Sequence, residues 1–300
     1  MTIVGLAQDF VGSNNVNLLS PRGQFGSRMQ GGKDAASARY IFTAVPPITR
    51  RVFHPQDDAL LTYLNDDGDW IEPAWYLPVL PMVLVNGSEG IGTGWSSNIP
   101  NYNPAEIIAN IRRIMKSEPQ VPLLPWYRGF VGTIEKETEH KYKVCGLVEE
   151  LDETRIKISE LPIRTWTTPY KEQIESWIQG SDKAPSWVKD YRDDGTLDRI
   201  DLTVTLTEEQ MRKARHEGLE TKFKLVSSVS TSNMVCFDPQ GRIKKYSTPE
   251  EIVQEFYDLR LEYYRKRKVS LFSVVPCGIR NKEKYSYAFC YTMFAIGLPR

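Results

Sequence analysis

No run of 18 or more apolar residues occurs in this sequence, which argues against a helical membrane span. Net charge is missing too. The 38 Lys and Arg balance the 38 Asp and Glu, so any basic surface must be local. Histidine is scarce (His54, His140, His216), and the four cysteines (Cys145, Cys236, Cys277, Cys290) form no C-x-x-C pair. This pattern argues against a zinc framework and reads as reduced structural thiols in an intracellular protein. The opening MTIVGLAQDF has no basic flank or small-residue cleavage site, so no secretory signal is read there. Internal repeats and low-complexity linkers are also lacking.

What remains is an ordinary core-forming composition. With 300 residues and 41% apolar content, the chain can build one large or two ordinary domains. Residues 1–40 are rich in Gly, Asn and Ser and read as a loop until Ala35-Ala36-Ser37-Ala38, which favours a helical turn leading to Tyr40. Residues 77–85 form a buried apolar run broken by two prolines and ending in a glycine-rich loop at 87–94. Asn103-Pro104-Ala105-Glu106 is N-cap, N1 proline and capping-box glutamate, and predicts a helix with Ile107, Ile108, Ile111 and Met115 on its apolar face. Further helix starts are read at Thr168-Pro169, Thr207-Glu208-Glu209-Gln210 and Thr248-Pro249-Glu250-Glu251, with Gly180 and Gly218 as stops for the first two. Runs at 131–137, 141–150 and 154–160 alternate apolar and polar residues and predict an antiparallel meander; 199–206 predicts another strand. Residues 233–238 and 242–246 flank Pro239-Gln240-Gly241 as a hairpin. The fold class is α+β.

Three features could carry chemistry. Arg39-Tyr40 places a cation beside a phenol. A tyrosine needs help to attack phosphorus, because its unperturbed pKa is about 10. An adjacent guanidinium supplies part of that help by binding phosphate oxygens with its planar fork. The segment Glu89-Gly90-Ile91-Gly92-Thr93-Gly94 could suggest a nucleotide loop, but it lacks the Gly-Lys-Ser/Thr ending, which argues against ATP binding there. Gln24, Arg28 and Lys33 lie in the loop before Tyr40; phosphate contacts and ordinary solvated residues both fit them. Asp57-Asp58 and Asp66-Asp67-Gly68-Asp69 lack calcium-loop spacing and read as solvated turns.

Taken together, Ala7–Asn15 in the form AQDFVGSNN, Gly-Gln-Phe-Gly-Ser-Arg at 23–28, Gly-Lys-Asp-Ala-Ala-Ser-Ala-Arg-Tyr-Ile-Phe-Thr at 32–43, Glu-Pro-Ala-Trp-Tyr at 72–76, NGSEGIGTGWS at 86–96, Glu-Leu-Pro-Ile-Arg-Thr-Trp at 160–166, Lys-Lys-Tyr at 244–246 and RLEYY at 260–264, with Arg267-Lys268, resemble eukaryotic-type DNA topoisomerase II (type IIA). The resemblance is collinear over residues 1–268; Asp9 replaces the family's usual asparagine.

It implies that Tyr40 attacks the scissile phosphodiester and becomes linked to the DNA 5′ end, with Arg39 holding the phosphate. Ile91 is implied as an apolar wedge between base pairs, which fits the known strategy of unstacking to bend DNA. Gln24, Arg28 and Lys33 are implied DNA contacts, and no metal ligand is assigned in this chain.

By the same resemblance, residues 1–80 are the latter part of a winged-helix domain, 81–260 a mixed α/β tower domain, and 261–300 a truncated coiled-coil start with an unmatched tail from 269. Arg265-Lys266-Arg267-Lys268 would lie on an exposed helical face. The implied function is ATP-hydrolysing type II topoisomerase breakage and reunion, an isomerase acting on double-stranded DNA in DNA topological change and chromosome segregation. The family acts as a homodimer in the nucleus, away from membranes. Mg²⁺ and ATP belong to the whole enzyme and to modules outside this chain, as do a helping histidine and arginine. The chain thus reads as a fragment, with Met1 an internal methionine and the tail a misjoined frame, inactive in relaxation alone. A non-catalytic, DNA-gripping or dominant-interfering protein is the alternative.

Overall fold

Turn and cap residues divide the chain into short elements; the computed structural model describes residues 2–180 and 185–274. Helix α1 (Thr2–Ala7) precedes strands β1 (Ser20–Arg22) and β2 (Phe42–Ala44), which pair antiparallel and enclose the loop carrying Tyr40. Helix α2 (Pro47–Val52), hairpin β3 (Tyr63–Asp66) and β4 (Asp69–Pro73), and helix α3 (Met82–Val85) follow. Next come hairpin β5 (Ser88–Ile91) and β6 (Ser96–Ile99), then helix α4 (Pro104–Met115).

The remaining strands are β7 (Thr133–Thr138), β8 (Lys141–Cys145), β9 (Leu147–Glu150), β10 (Arg155–Glu160), β11 (Asp190–Asp193), β12 (Leu202–Thr205), β13 (Val226–Ser230), β14 (Met234–Phe237) and β15 (Ile243–Tyr246). Interleaved with them are helices α5 (Thr167–Gln179), α6 (Glu208–Glu217), α7 (Leu219–Lys222) and α8 (Pro249–Val274). Mixed α/β architecture is what the pattern predicts.

Capping chemistry works as the sequence anticipates. The Asn103 side chain accepts from the Ala105 amide at 2.9 Å, and the Thr207 hydroxyl accepts from the Gln210 amide at 3.3 Å. α5 begins one residue before the anticipated Thr168, and Gly180 ends it. β14 and β15 form the predicted hairpin.

The predicted meander is corrected. β8 lies in a three-stranded sheet ordered β13-β8-β7, whereas β9 lies in a four-stranded sheet ordered β11-β12-β10-β9. Gly146 makes the switch: its amide leaves the ladder to donate to the Leu225 carbonyl at 2.8 Å. A Cβ there would drive into the Glu160 carbonyl, so the backbone passes closer to β10 than any other residue permits. The helical turn expected from Ala35 is also corrected. The Ala36 amide bonds across the loop to the Gln24 carbonyl at 2.9 Å, leaving only a 3-10 turn over Ala38–Tyr40.

Two compact units emerge: Met1–His54 with Pro78–Leu259, and Pro55–Leu77 with Arg260–Arg300. In the first, one core gathers Ile156 and Ile158 of β10, Leu202 and Val204 of β12, Tyr170 and Ile174 of α5, and Met211 of α6. A second packs α3 and α4 against β6, β14 and the start of α8, through Leu84, Ile107, Ile99, Met234 and Val253.

The second unit overturns two expectations. Asp57 is not a solvated turn: it is buried, with Arg260 at 2.7 Å and Arg267 at 2.8 Å from its carboxylate. Arg267 is accordingly buried rather than on an exposed face, while Arg265, Lys266 and Lys268 are exposed. Both guanidiniums also lie over the Tyr264 ring, at 4.2 and 4.8 Å from its centroid. A buried cation needs an anion and a polarisable face, and this cluster supplies both. Asp66 to Asp69, by contrast, form the exposed turn of the β3–β4 hairpin. Cys145 and Cys236 are free thiols. Cys277, Cys290 and the unmatched tail from 275 onward lie outside the described residues, and no helix among those described is long and apolar enough to cross a membrane.

Candidate nucleic-acid interface

Tyr40 ends the 3-10 turn, whose Tyr40 amide donates to the Ser37 carbonyl at 2.9 Å. Its side chain is 68% exposed, and the Arg39 guanidinium lies 5.1 Å from the ring centroid. Other tyrosines are placed differently. Tyr102, Tyr127 and Tyr170 are all buried, and burial pushes their hydroxyls well above the usual tyrosine range. The Tyr170 hydroxyl is further committed to the Phe223 carbonyl at 2.8 Å. Tyr40 therefore combines an open phenol with an adjacent cation. A phosphate brought to its oxygen comes within reach of a fork-shaped donor.

The loop from 23 to 37 holds this turn with few apolar contacts; Phe25 is its buried hydrophobic anchor. Polar staples do the rest. The Asp34 carboxylate accepts from the Ser27 amide at 2.9 Å and the Ser27 hydroxyl at 2.5 Å, and Gln8 donates to the Phe25 carbonyl at 3.0 Å. Partial burial pushes the Asp34 carboxyl up, but the Ser27 hydroxyl and amide outweigh it and hold the group below its usual range. Lys33 and Gln24 are exposed on this loop, with Gln24 reaching Asp34 at 3.4 Å.

Arg28 has a different task from the phosphate contact its loop position suggests. It is 4% exposed, its guanidinium pairs with Glu160, and it donates to the Leu161 carbonyl at 3.1 Å. The cause lies in β10, where alternation turns Ile156, Ile158 and Glu160 inward. A carboxylate at the third inward position requires a buried cation. Arg28 meets that need, and its charge serves the fold rather than the open face. The same β10 end continues into residues 161–168, whose backbone grips the loop: the Thr168 amide donates to the Met29 carbonyl at 2.9 Å. Gly31, at φ 62°, passes flat against the Trp166 indole, which any Cβ would strike.

Ile91 is 92% exposed at the tip end of β5, where the Gly92 amide closes the turn on the Trp95 carbonyl at 2.8 Å. Trp95 is itself 57% exposed, so the tip presents two apolar side chains to solvent. Apolar groups this exposed gain nothing in the free protein, and a wedge for stacked bases is a chemical use for them. The hairpin stem is tied on both edges. Asn98 donates its amide to the Asn233 carbonyl at 2.8 Å, and Arg164 pairs with Glu89 at 2.6 Å. The Arg164–Glu89 pair and the roles of Asp34 and Trp166 escape sequence reasoning. Only the inward glutamate of β10 leaves a readable signal, as a charge among core positions.

Among the described residues no group of three or more His, Cys, Asp and Glu could hold a metal ion. The residues at this face therefore do not fit a resident Mg²⁺ site, and no step is derived through one.

A family model for DNA gyrase/topoisomerase IV matches residues 1–276. Among curated proteins, DNA topoisomerase 2 of Arabidopsis thaliana is 57% identical over 295 residues, covering 95% of this chain and 20% of that protein. DNA topoisomerase 2 of Saccharomyces cerevisiae is 50% identical over 286 residues, covering 95% of this chain and 20% of that protein. The chain thus spans about one-fifth of the length of these curated relatives. Among solved structures, the topoisomerase II DNA-binding, cleavage and re-ligation domain of Plasmodium falciparum superposes with a TM-score of 0.88 at 47% identity, covering 91% of this chain and 37% of that one.

Proposed function

We propose, from the premise that the chain belongs to the DNA gyrase/topoisomerase IV family, that it is the breakage-reunion region of a type II DNA topoisomerase. Tyr40 is the nucleophile: its phenolic oxygen bonds to the scissile phosphorus, the bond from phosphorus to the 3′ oxygen breaks, and that oxygen leaves as a hydroxyl. The tyrosine is then joined to the 5′ end. Because one phosphodiester replaces another, the reverse attack by the 3′ hydroxyl reseals the strand. Arg39 holds the phosphate, where its fixed charge favours the extra negative charge of the transition state. Ile91 enters the base stack, and Lys33 and Gln24 contact the backbone.

The observation that carries this reading is the exposure of Tyr40 beside the Arg39 guanidinium, 5.1 Å from its ring. Domain roles follow the resemblance, with 1–80 as the later part of a winged helix, 81–260 as the tower and 261–300 opening a coiled coil. Two copies would cut the two strands of double-stranded DNA. We place the activity in the nucleus, in control of DNA topology and chromosome segregation, with Mg²⁺ and ATP acting through modules other than the described residues. Metal normally stabilises the attacking and leaving oxygens, a contribution of several kcal/mol that Arg39 does not replace.

Covalent trapping tests the proposal. The chain is mixed with a separately made metal-binding fragment of a family member, Mg²⁺ and end-labelled nicked DNA, then quenched with detergent. A protein–DNA adduct that disappears in Tyr40→Phe is the expected result. Salt-sensitive DNA binding with no adduct would overturn it in favour of a non-catalytic DNA-gripping protein.

A further inference from the structure

The segment 160–168 touches both the Tyr40 loop and the Ile91 hairpin. On one side it holds the loop: Glu160 pairs with Arg28, the Leu161 carbonyl accepts from Arg28 at 3.1 Å, and the Thr167 and Thr168 amides donate to the Arg28 and Met29 carbonyls at 3.4 and 2.9 Å. Trp166 backs the loop at Gly31 and stacks edge-on with Phe10, at 5.8 Å between centroids. On the other side Arg164 reaches the hairpin, 2.6 Å from Glu89.

Two details make Arg164 more than an incidental surface pair. Its backbone sits at φ 68°, in the left-handed region that a non-glycine residue occupies only when its surroundings hold it there. That conformation lies between Glu160 and Trp166, inside a turn closed by the Thr165 amide on the Pro162 carbonyl at 2.9 Å. Glu89, for its part, is two residues from Ile91 on the same strand, so both side chains stand on one face of β5. A force on the Ile91 tip is therefore transmitted along the strand to Glu89. From there it reaches a segment that is rigidly joined to the Tyr40 loop.

We propose that residues 160–168 form a bracket coupling the wedge hairpin to the nucleophile loop, with Arg164 as a positioning residue that holds the hairpin through Glu89. Insertion of Ile91 then sets where Tyr40 meets the phosphate. Arg164 touches no reacting atom; it acts through Glu89. This inference rests on the proposed DNA-cleaving role of Tyr40 and the wedge role of Ile91.

The test uses the full chain and a short nicked duplex carrying donor and acceptor dyes at its ends, read by energy transfer as the bent fraction. Adduct formation at Tyr40 is measured in parallel under the trapping conditions above. Ile91→Ala should lose the bend, which checks the underlying reading by itself. Arg164→Glu and Glu89→Arg should each lower both the bent fraction and the adduct yield by roughly twofold to fivefold, the range for a partly exposed ion pair. The reversed pair Glu89→Arg with Arg164→Glu should restore both. High salt should erase the difference between wild type and single variants, because exposed pairs are screened. If Ile91→Ala bends DNA as wild type does, the wedge reading fails and the coupling with it. If Ile91→Ala fails to bend but the single charge variants behave as wild type, or the reversed pair does not recover, the wedge stands and the bracket is overturned. Arg164→Lys, which keeps the charge, guards against misfolding: it should retain most of the bend.

Discussion

Removing the Arg28 guanidinium should damage the fold before it affects DNA. In Arg28→Met the Glu160 carboxylate stays where β10 puts it, 2% exposed, with its cation gone. Breaking a buried pair by deleting one partner costs about 3–5 kcal/mol. Here the lower end applies, because Glu160 still accepts from the Leu161 amide at 2.8 Å and the Val131 amide at 3.3 Å. A loss of about 3 kcal/mol corresponds to a fall in Tm of roughly 6–12 °C for a unit of this size. Arg28→Met with Glu160→Gln removes both charges yet keeps an oxygen for those amides, so more than half of the loss should return. Thermal unfolding followed by circular dichroism reads both values. DNA binding over a salt series supplies the contrast: Lys33→Ala should lower the slope of log K against log salt by about one, and Arg28→Met should leave it unchanged. If Arg28→Met melts within about 1 kcal/mol of wild type and lowers the salt slope instead, Arg28 is a phosphate contact and the argument from β10 is wrong.

Other outcomes follow from the same geometry. Gly31→Ala puts a Cβ into the Trp166 indole at a positive φ, so the loop must shift; adduct formation should fall at least tenfold while the remaining core keeps its melting behaviour. Asp34 gives the loop an acid limit. Its folded pKa lies below the ordinary 3.8, so its contribution is complete above that value and lost as pH falls through the folded one. Hydrogen exchange at the Ser27 amide should accelerate over that acidic range in wild type, and Asp34→Asn should abolish the dependence; an unchanged profile in the variant would refute it. In the second unit, Asp57→Asn removes the anion shared by Arg260 and Arg267 and should destabilise the 55–77 and 260–274 region by about 3–5 kcal/mol, seen as faster limited proteolysis there.

Local elements were legible because they are written in local chemistry. Asn103 and Thr207 cap their helices as their spacing demands, and Pro239-Gln240-Gly241 turns its hairpin. Tertiary choices were not. The run 141–150 alternates smoothly, yet a single glycine hands the chain to another sheet because the Glu160 carbonyl lies against it. Asp57 and Asp58 look alike in sequence; one is buried because two arginines more than 200 positions away converge on it, as the sequence separations 203 and 210 record. Arg28 shows the same limit within the candidate site. Its neighbours Gln24 and Lys33 are exposed as loop chemistry suggests, whereas its own fate is decided by a strand 132 residues on. The resemblance to the topoisomerase family pointed to Tyr40, Arg39 and Ile91 but carried no account of what holds them.

That account follows from a physical conflict at the face. The groups proposed to meet DNA must be open to it, so Tyr40, Arg39, Lys33 and Ile91 cannot be fixed by burial of their own. Freely moving side chains on a glycine-rich loop would forfeit the alignment that an in-line displacement requires. The structure resolves this one layer down. Beneath each exposed group lies a contact that cannot slide: Asp34 under Ser27, Glu160 under Arg28, Trp166 under Gly31, Asn233 under Asn98. Directional hydrogen bonds and a buried charge pair suit this better than apolar packing, because each accepts one geometry where methyl groups accept many. Zero net charge for the whole chain is consistent with this arrangement. Part of its charge is spent internally, as at Arg28 and Arg267, so a total near zero says nothing of the field at the face where Lys33 and Arg39 stand.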